Sequence, residues 1–151
     1  MTRRVVLLAD DAATRAAGAA LAPMLRVGDA ITLRGSLGAG KTTFARGLIG
    51  ALGYAHEVVS PSFAIVQAYD PPELRLPLLH VDLYRLNDAA ELGELGLDEA
   101  RRDGALVVEW PERAGDTAFP EALRLLVEID GAERRLVADL AAGWVDRWPL
   151  R

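Results

Sequence analysis

The sequence predicts a single α/β domain with a mixed, mostly parallel sheet, flanked by helices and closed at one edge by an antiparallel hairpin. Three observations lead to this prediction. Short apolar runs alternate with segments of helical periodicity. One of these runs, 105–110, is almost continuously apolar, which is typical of a strand buried on both faces of a parallel sheet. The length of 151 residues fits one domain, 1–151, with a core of its own.

Apolar runs bounded by turn residues predict the strands. In chain order they are 5–9, 30–34, 63–69, 76–83, 105–110, 123–130 and 134–140. Asp70-Pro71-Pro72 forms the turn between the third and the fourth strand, and Asp130-Gly131 forms the turn of the closing hairpin. The first run is too short for a secretory signal or a membrane span, so we expect a cytoplasmic protein without a membrane segment.

Helices are predicted between these strands. They span 11 to about 25, 41–52, 88–95 and 97–102. Asp10 or Asp11 caps the first helix, which is rich in alanine. Gly53 stands where the second helix should end, and Gly96 separates the two short helices. Strands and helices therefore alternate through most of the chain, as they do in α/β proteins.

Composition excludes several kinds of site. The chain has no cysteine, so disulfides and thiolate chemistry are excluded, and its two histidines are too few for a His-based zinc site. The net charge of −5 is opposite to that of proteins that hold nucleic acid by themselves, so we expect no DNA binding. Among 17 Lys and Arg residues, only Lys41 is a lysine, which indicates a position that requires a compact ammonium group.

The turn before the second helix carries a phosphate-binding motif. Gly35-Ser36-Leu37-Gly38-Ala39-Gly40-Lys41-Thr42 fits G-x-x-x-x-G-K-[ST] at every position. The glycines allow successive backbone N–H groups to face a phosphate, and the helix that follows adds the positive end of its dipole. We expect Lys41 to bridge the β- and γ-phosphates of ATP and the Thr42 hydroxyl to bind Mg²⁺. The domain is therefore predicted to be P-loop NTPase-like.

Other motifs narrow the class of P-loop protein. The guanine-reading motif N-K-x-D cannot occur, because the one lysine is already used, so we expect adenine to be preferred. Asp82 and Glu109 each end an apolar strand, where a carboxylate faces the ligand crevice of an open α/β sheet. Both are predicted to be catalytic and metal-binding, and which one touches the metal directly stays open. A small-molecule kinase and an ATP-switched binding protein remain as alternatives.

Four separate blocks together resemble one family. They are Gly38-Ala39-Gly40-Lys41-Thr42-Thr43, Ser60-Pro61-Ser62-Phe63, His80-Val81-Asp82-Leu83-Tyr84-Arg85 and Val108-Glu109-Trp110. The set resembles TsaE, also called YjeE, the bacterial ATPase of tRNA threonylcarbamoyladenosine synthesis. This resemblance implies an ATPase that acts with TsaB and TsaD homologues, which hold the tRNA and modify the adenosine beside the anticodon. Contact of this chain with tRNA is then expected only through those partners.

The resemblance also implies site residues. The catalytic set is Lys41, Asp82 and Glu109, the metal-binding set is Thr42, Asp82 and Glu109, and the nucleotide-binding set is Asp11, Gly38, Ala39, Gly40, Lys41, Thr42, Thr43 and Arg134. Ser60 and Ser62 would belong to a switch-like loop near the γ-phosphate. Ser36 stands where the family usually has an acid, and Ser62 stands where threonine is commoner.

Simpler roles are expected for the remaining residues that stand out. We expect His80 to be a packed strand residue rather than a base, and Tyr84 to be a core residue. Trp110 follows Glu109, so it either lies against the site or is a buried aromatic, and a buried aromatic is the default expectation. Trp144 and Trp148 are four residues apart, so we expect a C-terminal tail that packs back on the core.

Overall fold

A mixed sheet of seven strands organises the chain. The computed structural model describes residues 1–61, 65–115 and 117–151. Within them the strands are β1 (Thr2–Leu8), β2 (Ala30–Arg34), β3 (Val66–Tyr69), β4 (Leu78–Asp82), β5 (Ala105–Glu109), β6 (Leu123–Asp130) and β7 (Glu133–Leu140). They lie side by side in the order β1-β7-β6-β2-β5-β4-β3. The predicted α/β fold with a mixed sheet is confirmed.

The parallel strands are at the centre of the sheet. Strand β2 pairs in parallel with both β5 and β6, and β4 extends this group by pairing in parallel with β5. Antiparallel pairs form both edges: β1 and β6 flank β7 on one side, and β3 pairs with β4 on the other. The C-terminal ends of β2, β4 and β5 therefore meet at one edge of the parallel centre, where ligands bind in open α/β sheets.

Helices connect these strands. They are α1 (Asp11–Leu21), α2 (Lys41–Ala51), α3 (Ala89–Glu94) and α4 (Leu97–Asp103), with 3-10 turns at Ala22–Met24, Pro111–Ala114 and Ala142–Trp144. Asp10 caps α1, because its carboxylate accepts a hydrogen bond from the backbone N–H of Ala13 at 2.8 Å. None of the described helices is long and apolar enough to cross a membrane.

Element boundaries differ from the sequence prediction at several points. The first helix ends at Leu21 rather than near residue 25, and the chain continues as the 3-10 turn that contains Pro23. Strand β5 ends at Glu109, because Trp110 adopts a left-handed backbone conformation with φ of 57°. The start of the predicted strand 63–69 lies partly outside the described residues, and β3 begins at Val66.

Apolar side chains pack on both faces of the sheet. On one face α1 and α2 cover inward-facing residues of β2 such as Ile31 and Leu33. On the other face Leu97 and Phe119 pack with Val81 and other strand residues. The C-terminal tail packs against the core on the face that α1 and α2 cover, where Trp144 is only 2% exposed. The predicted packing of the tail is therefore confirmed.

Two glycines allow α1 and α2 to approach closely. A Cβ atom on Gly18 would lie 2.0 Å from the carbonyl oxygen of Phe44, and one on Gly47 would lie 1.9 Å from that of Arg15. Only glycine fits at such distances. A Cβ on Gly40, just before α2, would lie 3.4 Å from the side chain of Thr14, so the first part of α1 lies beside the glycine-rich turn.

Candidate active site

The glycine-rich turn between β2 and α2 forms a backbone cradle. Gly40 precedes the helix with φ of 114°, a conformation that L side chains rarely adopt. Gly35 has φ of 147°, and a Cβ there would lie 2.5 Å from the carbonyl oxygen of Val127 in β6. The cradle is therefore pressed against the neighbouring strand, and the N-terminal N–H groups of α2 open towards it.

Lys41 lies at the mouth of this cradle and is only 5% exposed. Its Nζ donates hydrogen bonds to the carbonyl oxygens of Gly35 at 2.5 Å and Ser36 at 3.1 Å. The same ammonium group lies 4.2 Å from the centre of the Trp110 ring, within the range of a cation–π contact. Burial lowers the pKa of Lys41, and the nearby charges of Glu109, Glu112 and Asp82 oppose that shift.

The two strand-end carboxylates lie side by side. Asp82 of β4 is directly opposite Glu109 of β5 in the parallel register, and both are at least nine-tenths buried. Asp82 accepts a hydrogen bond from the backbone N–H of Tyr84 at 2.9 Å. Glu109 accepts one from the hydroxyl of Thr42 at 3.1 Å, so the helix and the sheet are joined at this point.

One cavity of about 360 Å³ connects these groups. It is lined by Asp11, Leu37, Gly38, Gly40, Lys41, Thr42, Thr43, Asp82, Glu109, Trp110 and Arg134. Every residue of the predicted catalytic, metal-binding and nucleotide-binding sets lines it except Ala39. The carbonyl oxygen of Ala39 accepts a hydrogen bond from Nε of Arg134 at 3.1 Å, so Ala39 contacts a residue that lines the cavity. The sequence therefore predicted which residues come together, and their roles remain predictions.

Two other expectations about the site have different outcomes. Ser60 does not line this cavity, and Ser62 lies outside the described residues.

A larger cavity of about 610 Å³ lies beside α3 and α4. Among the described residues that line it, there is no glycine-rich turn that would present backbone N–H groups to a phosphate.

Aromatic side chains form one wall of the cavity. Trp110 lines it rather than being fully buried, and its ring lies 4.9 Å from that of Tyr84 between centroids. Tyr84 was expected in the core, but it is 39% exposed, so that expectation is wrong. The left-handed backbone of Trp110 turns its side chain towards Lys41, and no local sequence pattern indicates such a conformation for a tryptophan.

Sequence reasoning missed the contact between His80 and Glu109. His80 is fully buried in β4, as expected of a packed strand residue, but its Nε2 also lies 2.6 Å from Oε2 of Glu109. Strand periodicity places His80 and Asp82 on the same face of β4, because they are two residues apart, but the contact with Glu109 also requires the register between β4 and β5.

Comparison with known proteins agrees with this site. The family model described as "Threonylcarbamoyl adenosine biosynthesis protein TsaE" matches residues 8–137. The chain belongs to the TsaE family. The matched region includes every residue that lines the cavity, so the family resemblance covers the whole site.

Individual TsaE proteins match over most of their length. The chain is 37% identical over 131 residues to the tRNA threonylcarbamoyladenosine biosynthesis protein TsaE of Bacillus subtilis, covering 86% of this chain and 80% of that protein. It is 42% identical over 115 residues to the TsaE protein of Streptomyces coelicolor, covering 76% and 78%. The crystal structure of Bacillus subtilis YdiB superposes with a TM-score of 0.80 at 28% identity, covering 97% of this chain and 91% of that one.

Proposed function

We propose that this chain binds and hydrolyses ATP in the presence of Mg²⁺, as the P-loop ATPase of tRNA threonylcarbamoyladenosine synthesis. The observation that carries the proposal is the convergence of the glycine-rich cradle, Lys41, Thr42 and two buried carboxylates on one cavity. Membership of the TsaE family supports the same pathway, since its relatives are named for threonylcarbamoyladenosine biosynthesis.

The cradle and Lys41 fit a triphosphate. Backbone N–H groups at the start of α2, together with its dipole, favour an anion at the turn. Lys41 has no carboxylate bonded to its Nζ among the hydrogen bonds of the described residues, and its carbonyl partners leave the positive charge available to phosphate oxygens. Adenine is proposed as the base, because the guanine-reading motif is missing from the sequence.

The oxygen donors beside the cradle fit a magnesium ion that arrives with the nucleotide. Within the part of the chain that the structure describes, no group of three or more His, Asp or Glu side chains could hold a metal. Mg²⁺ commonly binds through one or two protein oxygens together with phosphates and water, and Thr42, Glu109 and Asp82 are suitable donors. When bound, the ion would offset negative charge on the phosphate oxygens.

Side chains around the cavity can orient the attacking water, limit the access of bulk water and add positive charge. Glu109 and Asp82 are buried carboxylates that can orient a water molecule at the cavity. Trp110 covers one side of Lys41 and so limits the access of bulk water to that part of the site. Arg134 holds the Ala39 carbonyl and adds positive charge at the cavity wall.

In the cell we propose that the chain acts in the cytoplasm with TsaB and TsaD homologues, which hold the tRNA. The net charge of −5 supports this division of labour, because it disfavours direct binding of tRNA. Leu37, at the outer rim of the cradle, is 66% exposed, which leaves this rim accessible to a partner that would complete the site.

The test is phosphate release from ATP, measured with the chain alone and after addition of TsaB and TsaD. We expect slow release alone, stimulation by the two partners together, and loss of both rates in Lys41→Ala without loss of the fold. Near-normal activity of a folded Lys41→Ala variant would contradict the P-loop assignment. Transfer of the phosphate to a metabolite would favour a kinase, and partner binding controlled by ATP without hydrolysis would favour a nucleotide-switched binding protein.

A further inference from the structure

His80 is held against Glu109 by the register of the central strands. His80 lies opposite Val107 and Asp82 lies opposite Glu109, so His80 is the diagonal neighbour of Glu109 on the same face of the sheet. The imidazole is 0% exposed and does not line the nucleotide cavity. It therefore contacts a cavity carboxylate from within the protein.

The carboxylate of Glu109 is fixed from two sides. Its Oε1 accepts the hydrogen bond from Thr42 at 3.1 Å, and its Oε2 lies 2.6 Å from Nε2 of His80. An ionised carboxylate only accepts hydrogen bonds, so Nε2 is the donor of the second contact in the histidine tautomer that carries its proton there. With one oxygen bound on each side, rotation of the carboxylate about its last side-chain bond is restricted.

The contact with Glu109 explains why residue 80 is a histidine better than packing does. Nδ1 of His80 is buried without a hydrogen-bond partner among the described residues. An apolar side chain of similar size would fill the same space and leave no buried polar atom unpaired. The hydrogen bond from Nε2 to Glu109 is what an imidazole adds at this position.

We propose that His80 is a positioning residue, which sets the orientation of the Glu109 carboxylate relative to Thr42 and the cavity. This inference rests on the proposed ATPase function. His80 does not line the cavity and reaches it only through Glu109, so its loss affects the rate of hydrolysis and leaves nucleotide binding largely unchanged. Residues that orient a functional carboxylate or metal ligand commonly contribute about 10- to 100-fold to activity or affinity.

The first experiment observes the contact without any assay of activity. The chain has two histidines, and His56 is exposed, so a ¹⁵N-imidazole NMR spectrum contains two residues and His56→Gln assigns them. We expect the proton of His80 to lie on Nε2, to exchange slowly with water and to change its chemical shift in Glu109→Gln. A His80 resonance that is identical in wild type and Glu109→Gln, or that carries its proton only on Nδ1, would overturn the proposal.

The second experiment compares kcat and KM of variants in the presence of TsaB and TsaD. We expect His80→Leu to lower kcat by about 10- to 100-fold while KM for ATP changes by less than about threefold. We expect His80→Gln to recover most of the rate, because its side-chain amide can donate near the position of Nε2. His56→Gln is the matched control and should behave like wild type.

Each outcome of this comparison bears on the proposal. Wild-type kcat in His80→Leu, or an equal loss in the Leu and Gln variants with a parallel rise in KM, would overturn it. If His80→Leu does not fold, the NMR comparison of wild type and Glu109→Gln decides alone. Absence of ATP hydrolysis by the wild-type chain with its partners would instead refute the proposed function, and the NMR result would still show whether the contact exists.

Discussion

At the scale of single residues, the two strand-end carboxylates differ in what holds them. Asp82 accepts a backbone N–H from Tyr84, whereas Glu109 is held by the side chains of Thr42 and His80. The backbone N–H of Tyr84 can donate equally well to an amide oxygen, so we expect Asp82→Asn to keep this hydrogen bond. Glu109→Gln places an amide between a hydroxyl and an imidazole, and both neighbours can reorient to accommodate it.

We expect both substitutions to separate binding from hydrolysis. Nucleotide affinity should stay within a few-fold of wild type, because the cradle and Lys41 supply most of the phosphate contacts. Phosphate release should fall by roughly 100-fold or more in each variant, since hydrolysis needs an oriented water and metal. Calorimetric titration with a non-hydrolysable ATP analogue, together with the release assay, measures the two effects. Loss of binding in step with hydrolysis would assign these carboxylates to nucleotide binding.

Four residues of the site could be predicted from the sequence, because a local pattern identifies each of them. Lys41 and Thr42 belong to a motif of fixed spacing, and Asp82 and Glu109 each end an apolar run. The contact of His80 with Glu109 depends on the register between β4 and β5, which no single segment contains. The position of Trp110 depends on a left-handed backbone conformation, which no local sequence pattern indicates for a tryptophan.

At the scale of elements, α1 packs closely against α2, the helix that follows the cradle. Strands and helices were largely predictable because each has its own periodicity, but the close contact of these two helices was not. It requires Gly18 and Gly47 to face the partner backbone, and a glycine within a helix carries no sign of which direction it faces. The contact brings Asp11 to the cavity, so the fold supplies a site residue from outside the motif.

Gly47→Ala tests this helix contact. The new methyl group would lie 1.9 Å from the carbonyl oxygen of Arg15, so the helices must separate. We expect the free energy of unfolding to fall by about 1–3 kcal/mol, as for other overpacked sites. Gly50→Ala in the same helix is the matched control, because nothing lies within 4 Å of its Cβ, and it should stabilise the protein by about 0.5–1 kcal/mol. Urea denaturation measures both, and equal effects would contradict the close contact.

The edge strand β1 provides a prediction about pH. Asp139 of β7 is opposite Arg3 of β1, and the hydrogen bond from Arg3 holds the pKa of that carboxyl below its ordinary value of 3.8. A lowered pKa in the folded state means that the pair stabilises the fold above pH 3.8, and that this contribution disappears as the pH falls through the folded-state pKa.

The measurement compares the free energy of unfolding of wild type and Asp139→Asn across that range. We expect wild type to be slightly more stable at neutral pH, and the difference to shrink on acidification. Both side chains are partly exposed, so the difference should be small and should decrease further at high salt. A difference that is independent of pH would show that the charge of Asp139 contributes nothing to holding β1.

At the scale of the whole molecule, charge supports the proposed division of labour between this chain and TsaB and TsaD homologues. A site for a triphosphate and its Mg²⁺ needs positive groups for the phosphates and oxygen donors for the metal, and one cavity holds both: the cradle, Lys41 and Arg134 beside three carboxylates. Binding of a tRNA needs positive charge over an extended surface, and the chain as a whole carries a net charge of −5. The positive groups in the cavity thus favour binding of a triphosphate, whereas the negative net charge of the chain disfavours binding of a tRNA.

We therefore expect the chain alone to bind tRNA no more tightly than about 10⁻⁴ M at physiological salt, the weak end of non-specific association. Fluorescence anisotropy of a labelled tRNA measures this, with the TsaB–TsaD complex as a second binder and the three proteins together as a third sample. Binding should appear only in the samples that contain TsaB and TsaD, and Lys41→Ala should leave it unchanged, because Lys41 lines the cavity that we propose for the nucleotide. Tight, salt-sensitive binding of tRNA by this chain alone would mean that a local basic surface outweighs the net charge. In that case the chain would itself recognise the RNA, and the division of labour proposed above would be wrong.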